Sequence, residues 1–291
     1  MMRLLIVILF VVVAVTSVGA AGYGVARGPT PVLNSADFPA VFGGQSGVHL
    51  KTDRCGQVRE LEYMALPGTV FKLVNTIHRG DSTVYGVETD EYPAPRDVRL
   101  YVDSRFLDLV AVLPKPRTRV LPPRDNVVAA LRGATGNPYV WGGNVRSGIP
   151  EMEKLYRGEI RGGRFGLLTL AGLDCSGPLY FATGGWTPRN TSQLITYGQG
   201  VDVAGKGVAA IVPLLQPLDL IVWYGHVIIV LDRDTAIESR LACGKPGNGG
   251  VVVTPLSQRL TEVMVTRRPV NNVAAERHHD TFVVRRWYGE R

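Results

Sequence analysis

Cysteine and histidine are scarce in this chain of 291 residues, with three and five copies. Cys55, Cys175 and Cys243 lie far apart and form no C-x-x-C pair. That spacing excludes a zinc ribbon and a thioredoxin-like redox pair. No Gly-Lys-Ser/Thr follows a strand-like run, so the glycine-rich stretch 244–250 reads as a long hairpin and not as a phosphate loop. Zinc fingers and basic-aromatic repeats are also missing, which removes the usual signs of nucleic-acid binding. The net charge of +7 therefore points to another anionic neighbourhood, a cell wall or a membrane surface. His278 and His279 are adjacent, and neighbours on a strand face opposite ways, which disfavours one shared ion. No metal or organic cofactor is expected.

One apolar run opens the chain. Arg3, then Leu4 to Val15, then Gly19-Ala20-Ala21 have the order of an export signal over residues 1–21. The run is short for a spanning helix. An uncleaved membrane tether is the runner-up, and no cysteine follows for a lipid anchor. Export to the periplasm or cell envelope of a bacterium is the expectation. An odd number of cysteines in an exported protein leaves at least one thiol free. A Cys55–Cys243 bridge that spares Cys175 is one arrangement the sequence leaves open.

Residues 22–47 are rich in Gly, Pro and Ala and read as a linker or irregular arm. Residues 48–113 carry five strand-like runs: Val58–Ala65, Thr69–Ile77, Thr83–Thr89, Arg99–Val102 and Leu107–Val112, with turns at Pro67-Gly68, Arg79–Ser82 and Asp103–Arg105. This suggests a small barrel. Through Pro67-Gly68-Thr69-Val70 and Leu100–Arg105 it resembles the bacterial SH3-like domains found beside wall hydrolases. A proline-rich linker spans 114–124. Residues 125–270 form a second domain and 271–291 a C-terminal extension. In the second domain, 145–171 is a glycine-rich excursion with a short helix at Glu151–Tyr156. A second helix is expected at Thr191–Tyr197. Runs at 218–223, 226–231 and 235–239 read as an antiparallel meander, followed by strands at Val251–Thr254 and Glu262–Arg268.

The candidate chemistry starts at Leu173-Asp174-Cys175-Ser176-Gly177. Asp174 is a good N-cap, which would place Cys175 in the first turn of a helix. Free N–H groups and the helix dipole there favour thiolate and can hold an oxyanion. On these residues alone, a small buried cysteine after a turn is an equal reading. His226 opens a strand and Glu238 lies on the next, where the two can meet across the ladder. A carboxylate fixes the imidazole tautomer, so Cys175, His226 and Glu238 read as nucleophile, base and orienter.

These residues resemble the NlpC-type peptidases, papain-like cysteine enzymes that cut bacterial cell-wall peptides. The likeness covers roughly 126–269. It rests on Tyr139-Val140-Trp141-Gly142-Gly143, Asp174-Cys175-Ser176-Gly177, Thr191–Leu194, Leu218–Trp223, Gly225-His226-Val227 and Ile237-Glu238-Ser239. It implies an α+β, papain-like catalytic domain behind the SH3-like barrel. It also implies hydrolysis of peptidoglycan stem peptides, at the bond joining D-glutamate to a diamino acid such as diaminopimelate. Tyr139 would line the site, and Asp174 and Ser176 would flank the substrate. Glu238 stands where a histidine is more usual, Pro178 where an aliphatic is common, and the 144–173 segment is longer than the pattern. The rival readings are a wall amidase or acyltransferase on the same site, and a non-catalytic wall-binding scaffold.

Overall fold

The computed structural model describes residues 22–43, 50–79, 82–156, 168–244, 249–272 and 280–289. The proposed signal, the tip of the 79–82 turn and His278-His279 lie outside them. Among the described residues, no helix is long and apolar enough to cross a membrane.

The chain is mixed α and β, built on antiparallel sheets. The first sheet has seven strands: β1 (Tyr23–Ala26), β2 (Thr30–Leu33), β3 (Leu61–Ala65), β4 (Val70–Arg79), β5 (Ser82–Glu88), β6 (Leu100–Asp103) and β7 (Leu107–Val110). Their order is β3-β2-β6-β5-β4-β1-β7. The path is open, since β3 and β7 do not pair, so the expected closed barrel is not what forms. The five expected runs appear close to their predicted bounds. The arm does not stay irregular: β1 lies between β4 and β7, and β2 between β3 and β6. Each is only four residues long and β2 carries Pro31, so neither shows a readable alternation. Asp37 then accepts from Ala40 N–H and starts the helix Phe38–Phe42.

The short pair β8 (Asn144–Val145) and β9 (Gly172–Leu173) closes the base of the excursion. Residues of that excursion are built into the first core: Ile149, Met152, Tyr156, Leu168 and Leu170 pack with Phe38, Phe42 and Leu61. Tyr156 donates from its hydroxyl to Asp103 at 2.5 Å. The described part of the excursion therefore docks on the first sheet.

The second sheet holds β10 (Gln199–Gly200), β11 (Leu220–Trp223), β12 (His226–Val230), β13 (Thr235–Leu241), β14 (Gly249–Pro255), β15 (Arg268–Pro269) and β16 (Thr281–Arg286). Its order is β10-β16-β11-β12-β13-β14, with β15 parallel to β16. The meander is where the apolar runs and tight turns put it. Two expectations fail. Residues 262–267 are not a strand, and only Arg268 enters one: Leu256, Leu260 and Val263 recur at helical spacing and bury one face of the helix Leu256–Met264. The 271–291 segment is no appendage either. Its Phe282, Val283 and Val284 are buried in β16, which lies between β10 and β11.

Even-numbered positions of β11, such as Leu220 and Val222, face the helices Arg124–Gly133 and Gly177–Ala182. Ile221 and Trp223 face the helix Leu256–Met264. The linker ties the halves further, because Arg117 bonds Glu91 at 2.8 Å and the Gly184 carbonyl at 3.0 Å.

Candidate active site

Cys175 occupies a bend between β9 and the helix Gly177–Ala182. It lies just before the helix, not in its first turn. Asp174 still organises the start, accepting from Ser176 N–H at 3.1 Å and Gly177 N–H at 2.8 Å. Gly177 has to be glycine, since a Cβ there would meet the Gly143 carbonyl oxygen at 2.3 Å. Ser239 Oγ donates to the Leu173 carbonyl at 2.7 Å, which pins β13 against the approach to the cysteine.

The Cys175 thiol is free and half-buried. Burial first, and the Asp174 charge second, push it up to about 12; Arg189 and the backbone amides of Ser176 and Cys175 pull the other way without prevailing. Burial and the Asp174 charge therefore disfavour the thiolate, and a base beside the sulfur would assist its deprotonation. Its Sγ lies 3.5 Å from the carbonyl oxygen of Gly225, the residue before His226.

His226 starts β12 after a two-residue hairpin, with Trp223 paired to it. Gly225 takes φ +94°, a conformation that glycine adopts without strain. Its N–H donates to Thr191 Oγ1 at 3.2 Å, holding the hairpin to the neighbouring helix Thr191–Leu194. Ile229 pairs with Ile237 and Val230 with Ala236. Continued, that register sets Glu238 diagonally across from His226 on one face. The His226 Nε2 and Glu238 Oε2 atoms are 2.6 Å apart.

Glu238 is fully buried. Burial works against its charge, but hydrogen bonds and charges from His226 and Arg259 outweigh it and hold the carboxyl below its usual range. An ionised carboxylate only accepts. The shared proton therefore sits on Nε2, leaving Nδ1 as the basic nitrogen. Trp223 covers the imidazole, ring centroids 5.0 Å apart.

Tyr139 is buried beside this centre. Burial, then the proximity of Asp174 and Cys175, raise its phenol far above the ordinary value. The first sheet's side of the molecule braces its segment. Gln57 accepts from Trp141 N–H at 2.8 Å and donates to the Tyr139 carbonyl at 3.4 Å. The Arg59 guanidinium lies 4.2 Å from the Trp141 ring centroid. Cys55, next to this loop, is disulfide-bonded to Cys243 beyond β13.

Asp174 and Ser176 turn inward. Arg189, 1% exposed, donates to Asp174 Oδ2 at 2.6 Å and Oδ1 at 3.0 Å, to Ser176 Oγ at 2.7 Å and to Asn144 Oδ1 at 3.1 Å. Asn144 in turn bonds both backbone polar groups of Met64 in β3. The two residues expected to flank substrate are committed to this network, with the Asp174 charge already compensated. Arg189 and Arg259 escaped the sequence reading. Arg189 sits in the loop 187–190 with no local pattern, whereas Arg259 and Glu262 do share a helix face.

No family model and no curated protein matches the sequence. Structural neighbours are NlpC/P60 family proteins at low similarity. One, from Bacillus cereus ATCC 10987, is 16% identical with a TM-score of 0.33, over 92% of this chain and 64% of that one. The chain therefore spans about 64% of that protein's length. Another, NlpC2 from Trichomonas vaginalis, is 10% identical with a TM-score of 0.35, over 93% and 98%. Superpositions this loose do not establish a shared fold.

Proposed function

We propose that this protein is an exported cysteine peptidase of bacterial peptidoglycan, cutting stem peptides between D-glutamate and a diamino acid such as diaminopimelate. The observation that carries the chemistry is the His226–Glu238 contact beside a free cysteine whose sulfur reaches the residue preceding that histidine. The sequence resemblance supplies the substrate class, and the signal-like run over residues 1–21 supplies the envelope location.

Nδ1 of His226 takes the Cys175 proton as the sulfur attacks the scissile carbonyl. Glu238 stabilises the imidazolium that forms. The Cys175 and Ser176 backbone amides, already close to the sulfur, stabilise the oxyanion. Collapse breaks the C–N bond, and the imidazolium gives its proton to the leaving amine. Water, activated by the neutral imidazole, then hydrolyses the thioester and frees the thiol.

Purified muropeptides incubated with the full chain should yield a fragment ending in D-glutamate and one beginning with the diamino acid, read by mass spectrometry. Cys175→Ala should lower the rate at least about a thousand-fold. Cleavage that survives this change ends the mechanism. Products split at the sugar–peptide amide, or transpeptidation products, would establish an amidase or acyltransferase instead. Binding to sacculi without turnover would establish a scaffold.

A further inference from the structure

Glu238 is clamped from behind by a residue outside the proposed triad. Arg259, on the helix Leu256–Met264, donates from Nε to Oε1 at 2.5 Å and from Nη2 to Oε2 at 3.0 Å. Its remaining nitrogen Nη1 donates to Glu262 at 3.0 Å, and Gln258 reaches the same carboxylate at 3.1 Å. Gln258, Glu262, Arg259, Glu238 and His226 thus form one chain of polar contacts, from an exposed helix face to the imidazole.

We infer that Arg259 is a positioning residue that acts on His226 through Glu238, fixing the carboxylate and supplying its counter-charge so that the imidazole does not have to. The inference rests on the peptidase reading for its role in turnover, though not for the clamp itself. A fully buried carboxylate needs a cation close by. The bidentate guanidinium meets that need with defined geometry. Arg240 stands further off, 3.6 Å from Oε1 and partly exposed. Other packed elements bring few charges. Val252 of β14 lies opposite Glu238, Arg267 stacks on the far partner Trp223, and Asp174 is paired with Arg189 near Cys175.

With Arg259 in place, Glu238 already has a counter-charge, and the imidazole is available to accept the Cys175 proton. Without it, the imidazolium becomes the nearest strong partner of Glu238 and holds on to its proton. The same helix that closes one face of the sheet would thereby set the working pH of the base.

The test is an NMR titration of the His226 ring nitrogens in the full chain. The pH profile of Cys175 alkylation by iodoacetamide and the thermal midpoint are read on the same samples. In Arg259→Gln the ring should titrate about one pH unit higher than in wild type, and alkylation at pH 6 should slow about tenfold. Arg259→Lys keeps the charge without the fork and should restore part of both shifts. Glu262→Gln, which leaves the inner contacts intact, covers the case in which Arg259→Gln does not fold; removing the charge that partly neutralises Arg259 should move the ring slightly lower, the opposite direction, and no movement would count against the inference. A folded Arg259→Gln protein with the wild-type ring titration and alkylation profile overturns the inference and leaves the peptidase reading standing. A shifted ring in a protein that never cleaves muropeptides keeps the clamp and removes the peptidase reading.

Discussion

Arg189 is the largest fully buried side chain of the described residues, and its hydrogen bonds go to Gly143 and Asn144 at the start of β8 and to Asp174 and Ser176 on either side of Cys175. Burying a guanidinium is tolerable only because Asp174 compensates it. Arg189→Met would leave Asp174 charged and unpaired, at a cost of about 3–5 kcal/mol. Urea unfolding should show that loss, and the double change with Asp174→Asn should recover much of it. The network also explains why a motif reading places Asp174 and Ser176 at the substrate: spacing puts them next to the sulfur but does not reveal which way they turn. A second residue-scale expectation concerns acid. Glu238 has its carboxyl lowered from the ordinary 4.5. A depressed carboxyl adds stability above its unfolded value, and that stability is lost as pH falls through the folded one. The stability gap between wild type and Glu238→Gln should therefore be widest near neutrality and shrink below about pH 4.5, as measured by thermal midpoints across pH.

Elements with continuous apolar runs between tight turns were legible, and those with weak or mixed patterns were not. Leu220–Trp223, His226–Val230 and Thr235–Leu241 stand out because buried aliphatics and tight turns leave one reading. β1 and β2 were missed because four-residue strands, the second carrying Pro31, show no period. Glu262–Arg268 misled because its few apolar residues fit a strand only when Leu256 and Leu260 are left out of the count. β16 was missed for position and not for composition: Thr281–Arg286 is a good buried strand, discounted because the homology-like pattern stopped at Pro269. Its place between β10 and β11 makes it part of the scaffold. Val283 is 1% exposed and pairs with Val222. Val283→Asp should cost more than about 4 kcal/mol and abolish a cooperative melt followed by circular dichroism, although it touches no proposed catalytic group.

The two sheets share the site. Cys175, His226 and Glu238 belong to the second half, while Gln57, Arg59 and Met64 from the first brace the segments that carry Tyr139 and Arg189. The Cys55–Cys243 bridge, 188 residues apart in sequence, fastens the two. Cys55→Ser combined with Cys243→Ser should lower stability by about 2–5 kcal/mol, read as a drop in thermal midpoint that a reducing agent reproduces in wild type but not in the double variant. The spacing of the three cysteines allowed that bridge without requiring it, because which thiols meet depends on how the halves dock. Alone, neither sheet would present the centre described above.

The sheet that holds the imidazole is completed by residues 281–286, threaded inside it next to the strand that leads into the His226 hairpin. A ribosome must therefore emit those residues before the strand leading into His226 has both its neighbours. Nascent or prematurely terminated polypeptides would carry Cys175 and His226 without the sheet completed around them, so whatever chemistry the centre performs would begin only after translation has passed that strand.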